Sequence, residues 1–185
     1  MLAPHGLRAR KVGLAAAGLA AAVIAAVAGV ASGATVESSK TCAVSLSAVK
    51  AGQTESVART IGCWVTVTEA ETALGLSPTS ALGAGPGLAA SQTLIGRDYG
   101  STGFLGSQKI WFAGDTHGCT DGSTYSYPMP ADFNNLTRSA QGFAGCSHNT
   151  HYDPPSASGA NITCAAACAS MGAMDLKTSF VRWSP

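Results

Sequence analysis

The sequence predicts an all-β sandwich for the larger part of the chain, and three observations carry that expectation. Apolar and aromatic residues come in short bursts, Thr93–Ile95, Lys109–Phe112, Tyr125–Tyr127 and Phe180–Trp183, broken by Gly, Ser, Asn, Asp and Pro. From residue 91 onward no window of helical length keeps a helical period. A short pattern also occurs twice. Asn134-Asn135-Leu136-Thr137-Arg138-Ser139 returns as Met174-Asp175-Leu176-Lys177-Thr178-Ser179. Each copy follows a tyrosine with a glycine seven positions on, Tyr99 to Gly106 and Tyr152 to Gly159. Two such units, each too small to bury its own apolar side, are expected to pack on one another.

Residues 1–34 read as an export signal. Arg8, Arg10 and Lys11 make a positive start, Val12 to Val30 carries no charge, and Ala31-Ser32-Gly33-Ala34 offers small residues for cleavage. A retained membrane anchor is the alternative, because the run is about as long as a bilayer requires. Its Ala and Gly content and its small-residue exit favour the signal. No lipobox is present, since the nearest cysteine is Cys42, and Arg8 and Arg10 are not adjacent as a twin-arginine signal demands. Cleavage removes three of the eleven basic residues and none of the ten acidic ones, leaving eight against ten, a net charge of −2. Charges are spread without blocks, so neither nucleic acid nor an anionic membrane is expected as a partner.

All six cysteines, Cys42, Cys63, Cys119, Cys146, Cys164 and Cys168, follow the signal. An even count in an exported chain points to three disulfides rather than metal thiolates. Fifteen connectivities are open to six cysteines; pairing neighbours along the chain is the expectation, Cys42–Cys63, Cys119–Cys146 and Cys164–Cys168. The last pair needs Ala165 to Ala167 to turn back. Residues four apart in a strand lie about 13 Å apart, and a disulfide spans roughly 4.4–6.8 Å between Cα atoms.

Residues 35–80 form an N-terminal extension for which little core is expected. Thr66 to Leu76 reads as a short helix, with Glu69 and Glu71 in its first turn and Gly75 where a C-cap belongs. Residues 81–90 lie in a Gly-, Pro-, Ala- and Ser-rich linker, and 91–185 form the β domain.

The repeated residues resemble those of the βγ-crystallin-like proteins. That family's signature is an aromatic, four residues, an aromatic, one residue and a glycine on a folded hairpin, followed later by a six-residue loop. The loop runs two Asn/Asp, two variable positions, Ser/Thr and Ser. Tyr99, Phe104 and Gly106 match the hairpin in full. Tyr152 and Gly159 match it, while Ala157 replaces the second aromatic, which predicts a looser second hairpin unless Pro154 and Pro155 compensate. The resemblance covers about residues 91–183 and implies two Greek keys forming one sandwich. The glycine permits positive φ where the hairpin folds over, and the aromatic pair packs across the fold.

The resemblance also implies a hard-cation site of oxygen ligands for Ca²⁺. Carried over residue by residue, one site uses Asp175, the carbonyl of Leu176, Thr178 and the carbonyl of Gly100. A weaker one uses Asn135, the carbonyl of Leu136 and the carbonyl of Asp153. Met174 departs from the pattern at the first position of one loop, and Arg138 stands where the other needs a hydroxyl. The alternative is that both loops are kept for turn geometry alone.

Other chemistry finds little support. Cys146, His148 and His151, with His117 near Cys119, are zinc-type ligands, but the cysteines are better spent in disulfides and the histidines read as exposed loop residues. Asp98, Asp115, Asp121, Asp132 and Asp153 are scattered, and no catalytic motif surrounds them. No catalytic residue is therefore expected. The resemblance implies a secreted, monomeric, non-enzymatic binding protein, calcium-stabilised in some members. The most concrete role is inhibition of an extracellular protease through the segment 115–130, with its two tyrosines and the Cys119–Cys146 bridge. A module that binds cell-wall polysaccharide, antifungal in effect, is one alternative; a secreted hydrolase using a specific acid such as Asp98 is another.

Overall fold

The computed structural model describes residues 40–76 and 92–185; the expected signal, 1–34, and linker, 81–90, lie outside them. The described residues form two sheets. β1 (Thr41–Leu46), β2 (Ala58–Trp64), β3 (Thr93–Ser101), β4 (Leu105–Ala113), β6 (Ser139–Gly142) and β9 (Ala167–Cys168) make a six-stranded sheet in the order β2-β1-β4-β3-β6-β9. β5 (Tyr125–Pro128), β7 (His148–Tyr152), β8 (Asn161–Cys164) and β10 (Phe180–Ser184) make a four-stranded sheet in the order β5-β10-β7-β8. All-β is thus the class observed.

From residue 93 the chain runs through four strands twice, β3 to β6 and β7 to β10. In each run the first, second and fourth strands share a sheet while the third pairs in the other: β5 with β10, and β9 with β6. Each sheet is therefore completed by the opposite half. The crossing from β8 to β9 bends at Ala165 and Ala166, and Cys164–Cys168 closes it at a Cα separation of 5.3 Å. Cys42–Cys63 bridges paired positions of β1 and β2, and Cys119–Cys146 ties the β4–β5 connection to the β6–β7 connection. All three neighbour pairings are present.

The extension is not the coreless segment the sequence suggested. All six residues of β1 are buried, and β1 lies parallel to β4 with Val44 opposite Trp111. One side of β1 (Val44, Leu46) joins the inter-sheet core with Ile95, Trp111, Tyr125, Phe133, Val181 and Trp183. Its other side (Ala43) faces a second cluster of Ala70, Leu74, Leu94, Ile110 and Phe112, beneath the helix α1 (Val67–Leu74). A strand covered on both faces shows no apolar–polar alternation, so pattern reasoning passed over it. The helix matches expectation closely. Thr66 and Glu69 form a reciprocal capping box, and Gly75 ends the helix at φ 63°. Glu71 reaches from the helix to the buried Arg97 on β3, Oε1 to Nη1 2.7 Å. No helix among the described residues is long and apolar enough to cross a membrane.

The two hairpin corners are built from different residues. In the first, Tyr99 meets Phe104 edge-on at 5.6 Å between ring centres, and Gly106 sits at φ 83°. Ser139 on β6, paired with Tyr99, accepts the Phe104 N–H at 3.0 Å and donates to the Ser101 carbonyl at 2.7 Å. In the second corner the position paired with Tyr152 is Phe180, whose ring meets Tyr152 edge-on at 6.0 Å. The aromatic missing at Ala157 is thus supplied by β10. Gly159, at φ 74°, folds under Pro154, where a Cβ would approach the ring to 2.9 Å.

Candidate functional site

Three places hold the residues on which a function could rest: the paired loops before β6 and β10, a polar cluster between the sheets, and the loop held by Cys119–Cys146.

The loops face each other across an approximate two-fold relation written in backbone hydrogen bonds. Asn135 N–H donates to the Thr178 carbonyl at 2.9 Å, and Leu176 N–H donates to the Thr137 carbonyl at 3.2 Å. Arg138 N–H donates to Tyr99 and Ser179 N–H to Tyr152, each at 2.8 Å. Asn135 and Leu176 both take positive φ, 58° and 56°. The equivalent pairs are therefore Asn135 with Leu176, Thr137 with Thr178 and Arg138 with Ser179. Structural equivalence runs one residue later than the matching letters in the sequence. Thr137 and Thr178 are wholly buried, and their hydroxyls have no hydrogen-bond partner among the described residues. Ser179 donates to Asn135 Oδ1 at 3.2 Å, a contact the sequence did not suggest. Asp175 Oδ1 lies 3.9 Å from Arg138 Nε. Leu136 and Leu176 stand exposed at the loop tips.

The second place was not legible at all. Asp98 on β3, Lys109 on β4, and Asn149 and His151 on β7 all turn inward and are buried. Asp98 accepts from Trp111 Nε1 at 2.7 Å, and its other oxygen is 3.6 Å from His151 Nδ1. Lys109 lies opposite Asp98 and donates to both oxygens of Asp132 at 2.9 and 2.7 Å. Burial pushes the Asp98 carboxyl up to about 7, against smaller opposing effects of Trp111 and Lys109. Burial pushes His151 down to about 3. Both shifts disfavour the charged form, and at 3.6 Å the two side chains make no hydrogen bond with each other. His151 was expected in an exposed loop. The alternation of β7 instead turns it and Asn149 inward. Asp98, the acid named for a hydrolase, is enclosed at 1% exposure beneath Trp111.

The third place is the turn between β4 and β5. Thr116, His117, Thr120, Asp121 and Gly122 are exposed, while Gly118 and Cys119 are buried beneath them. Asp115 Oδ1 accepts the N–H groups of His117 and Gly118 at 3.0 and 3.1 Å, and Asp121 accepts that of Ser123 at 2.9 Å. Tyr125 is wholly buried and donates its hydroxyl to Asp115 Oδ2 at 2.8 Å. Burial and the Asp115 charge hold that phenol well above its ordinary range. Tyr125 therefore does not present an interface as expected but props the loop from inside, and Tyr127 is half-buried against the core. Gly118 and Gly122 take positive φ, 58° and 90°, which lets the turn close tightly.

Among the described residues one group of three Cys, His, Asp or Glu ligand atoms falls within 4.8 Å, Cys42, Cys63 and Asp132, and its two sulfurs are bonded to each other. His117 and His148 are exposed, apart from the buried His151. No family model, no curated protein and no solved structure matches this chain.

Proposed function

We propose that this is an exported, non-enzymatic binding protein of βγ-crystallin type, two Greek keys with an integral N-terminal strand pair, that inhibits an extracellular protease. The exchange of the third strand between halves and the two folded tyrosine–glycine corners support the family reading. Three disulfides are in keeping with an oxidising compartment.

The observation that carries the inhibitor reading is the Thr116–Gly122 loop. It is exposed and polar, yet its backbone is held by a disulfide, two Asp side chains and a buried tyrosine. A loop already fixed in one conformation loses little entropy on entering a cleft and resists being pulled open there. The indole faces that would stack on sugars are committed elsewhere: Trp111 and Trp183 are buried, and Trp64 covers Gly62, while Tyr127 and Tyr152 are half-buried. That favours a protein partner over a glycan.

The test is a titration of exported proteases with the processed protein. Residual activity should fall in proportion to the amount added and end at one equivalent. Retention on insoluble cell-wall polysaccharide, with every protease untouched, would replace this reading with the glycan-binding one.

A further inference from the structure

We propose that Cys42–Cys63 is an exchangeable bridge: a low-molecular-weight thiol attacks Cys63, and Cys42 leaves as a thiolate beside the Lys109 ammonium. The three disulfides differ first in access. Cys63, on the edge strand β2, is exposed, whereas Cys42 is buried. Cys119 and Cys146 are each 1% exposed, and Cys164–Cys168 offers only the half-buried Cys168. They differ also in what surrounds the leaving sulfur. Cys119 and Cys146 belong to the apolar inter-sheet core, and Cys164 packs with Met171 and Met174, surroundings that disfavour a thiolate. Cys42 instead lies opposite Lys109 on the parallel β1–β4 ladder. Lys109 donates to Asp132 at 2.7 Å, and a carboxylate oxygen of Asp132 comes within 4.8 Å of both sulfurs. Water screens the Asp132 side chain, 44% exposed, more than the enclosed Lys109, 2% exposed, so an anion left on the buried Cys42 is favoured. In the exchange the attacking thiolate bonds to the Cys63 sulfur, the Cys42–Cys63 bond breaks, and its electron pair stays on Cys42. The incoming thiol is oxidised into the mixed disulfide as Cys42 is reduced. The six backbone pairs of β1 with β2 keep the strands together without the covalent link. This bridge is separate from Cys119–Cys146, so the exchange does not depend on the inhibitor reading.

The experiment incubates the folded, processed protein with reduced glutathione, stops the exchange with acid, alkylates free thiols and maps the products by mass spectrometry. In early samples glutathione should sit on Cys63 and the alkyl label on Cys42, with the other two bridges intact. Lys109→Gln should open about threefold more slowly or worse, while Lys109→Arg, which keeps the charge, should open near the wild-type rate. Near-ultraviolet circular dichroism checks that each variant is folded, and the wild-type map needs no variant. Absence of any adduct, an adduct on Cys42, or earlier opening of either other bridge would overturn the proposal. So would equal rates for wild type and a folded Lys109→Gln.

Discussion

Replacing Asp98 with asparagine should change the pH dependence of stability in a way that exposes the opposed titrations of Asp98 and His151. Asp98 is raised from 3.8 to about 7 in the folded chain. It contributes stability that is fully present below 3.8 and lost as pH rises through about 7. His151 is lowered from 6.5 to about 3. Its contribution is present above 6.5 and lost as pH falls through about 3. Between 3.8 and 6.5 folding takes one proton from the histidine and gives one to the carboxyl, so the two slopes cancel. Asp98→Asn leaves the histidine alone. Stability should then climb with pH across that window by about 1.4 kcal/mol per pH unit relative to wild type. His151→Asn leaves the carboxyl alone and should reverse the sign, with stability falling by about the same slope. Urea unfolding of wild type and both variants, at several pH values between 4 and 6.5 or so, measures the slopes directly. Two variants running parallel to wild type would refute the opposed shifts of the two buried groups. Lys109, whose ammonium also attracts the Asp98 carboxylate, keeps its Asp132 partner in both variants.

Three further outcomes follow from the packing. Phe180→Ala removes the ring that closes the second corner against Tyr152 and should cost about 3–5 kcal/mol in chemical denaturation. Thr178→Val removes a buried hydroxyl that has no partner and keeps its shape, so stability should be unchanged or higher by about 1 kcal/mol. Glu71→Ala leaves Arg97 buried without its ion-pair partner and should cost about 3 kcal/mol, with loss of the helical dichroism signal before the sheet signal on heating.

The sequence made some elements plain and hid others for reasons of packing. β3, β4, β5 and β10 stand out because bulky apolar residues bounded by turn residues leave few alternatives. β6 and β9, Ser-Ala-Gln-Gly and Ala-Cys, carry almost no apolar signal. Gly142 on β6 is small because the backbone comes close there: a Cβ would overlap the Cys146 carbonyl oxygen. His151 and Asn149 look like polar loop residues until β7 is recognised, because a pleat turns every second side chain inward whatever its chemistry. The disulfides join chain neighbours, the expected one of the fifteen connectivities that the sequence left open. The loop pairing was not legible there: matching letters set Asp175 against Asn135, whereas the N–H groups of Arg138 and Ser179, donating to the Tyr99 and Tyr152 carbonyls, set Leu176 there. A one-residue shift of that kind changes which side chains can meet, and no composition or motif reports it.

The inhibitor reading stands on the loop Thr116–Gly122, and a comparison of inhibition by wild type and by the double variant His117→Ala with Thr120→Ala tests it most directly. Both side chains are exposed and neither belongs to the core. The account predicts that wild type blocks an exported protease at one equivalent, while the variant melts at the same temperature and inhibits at least tenfold more weakly. Equal inhibition by the two proteins, or none by either, would contradict it.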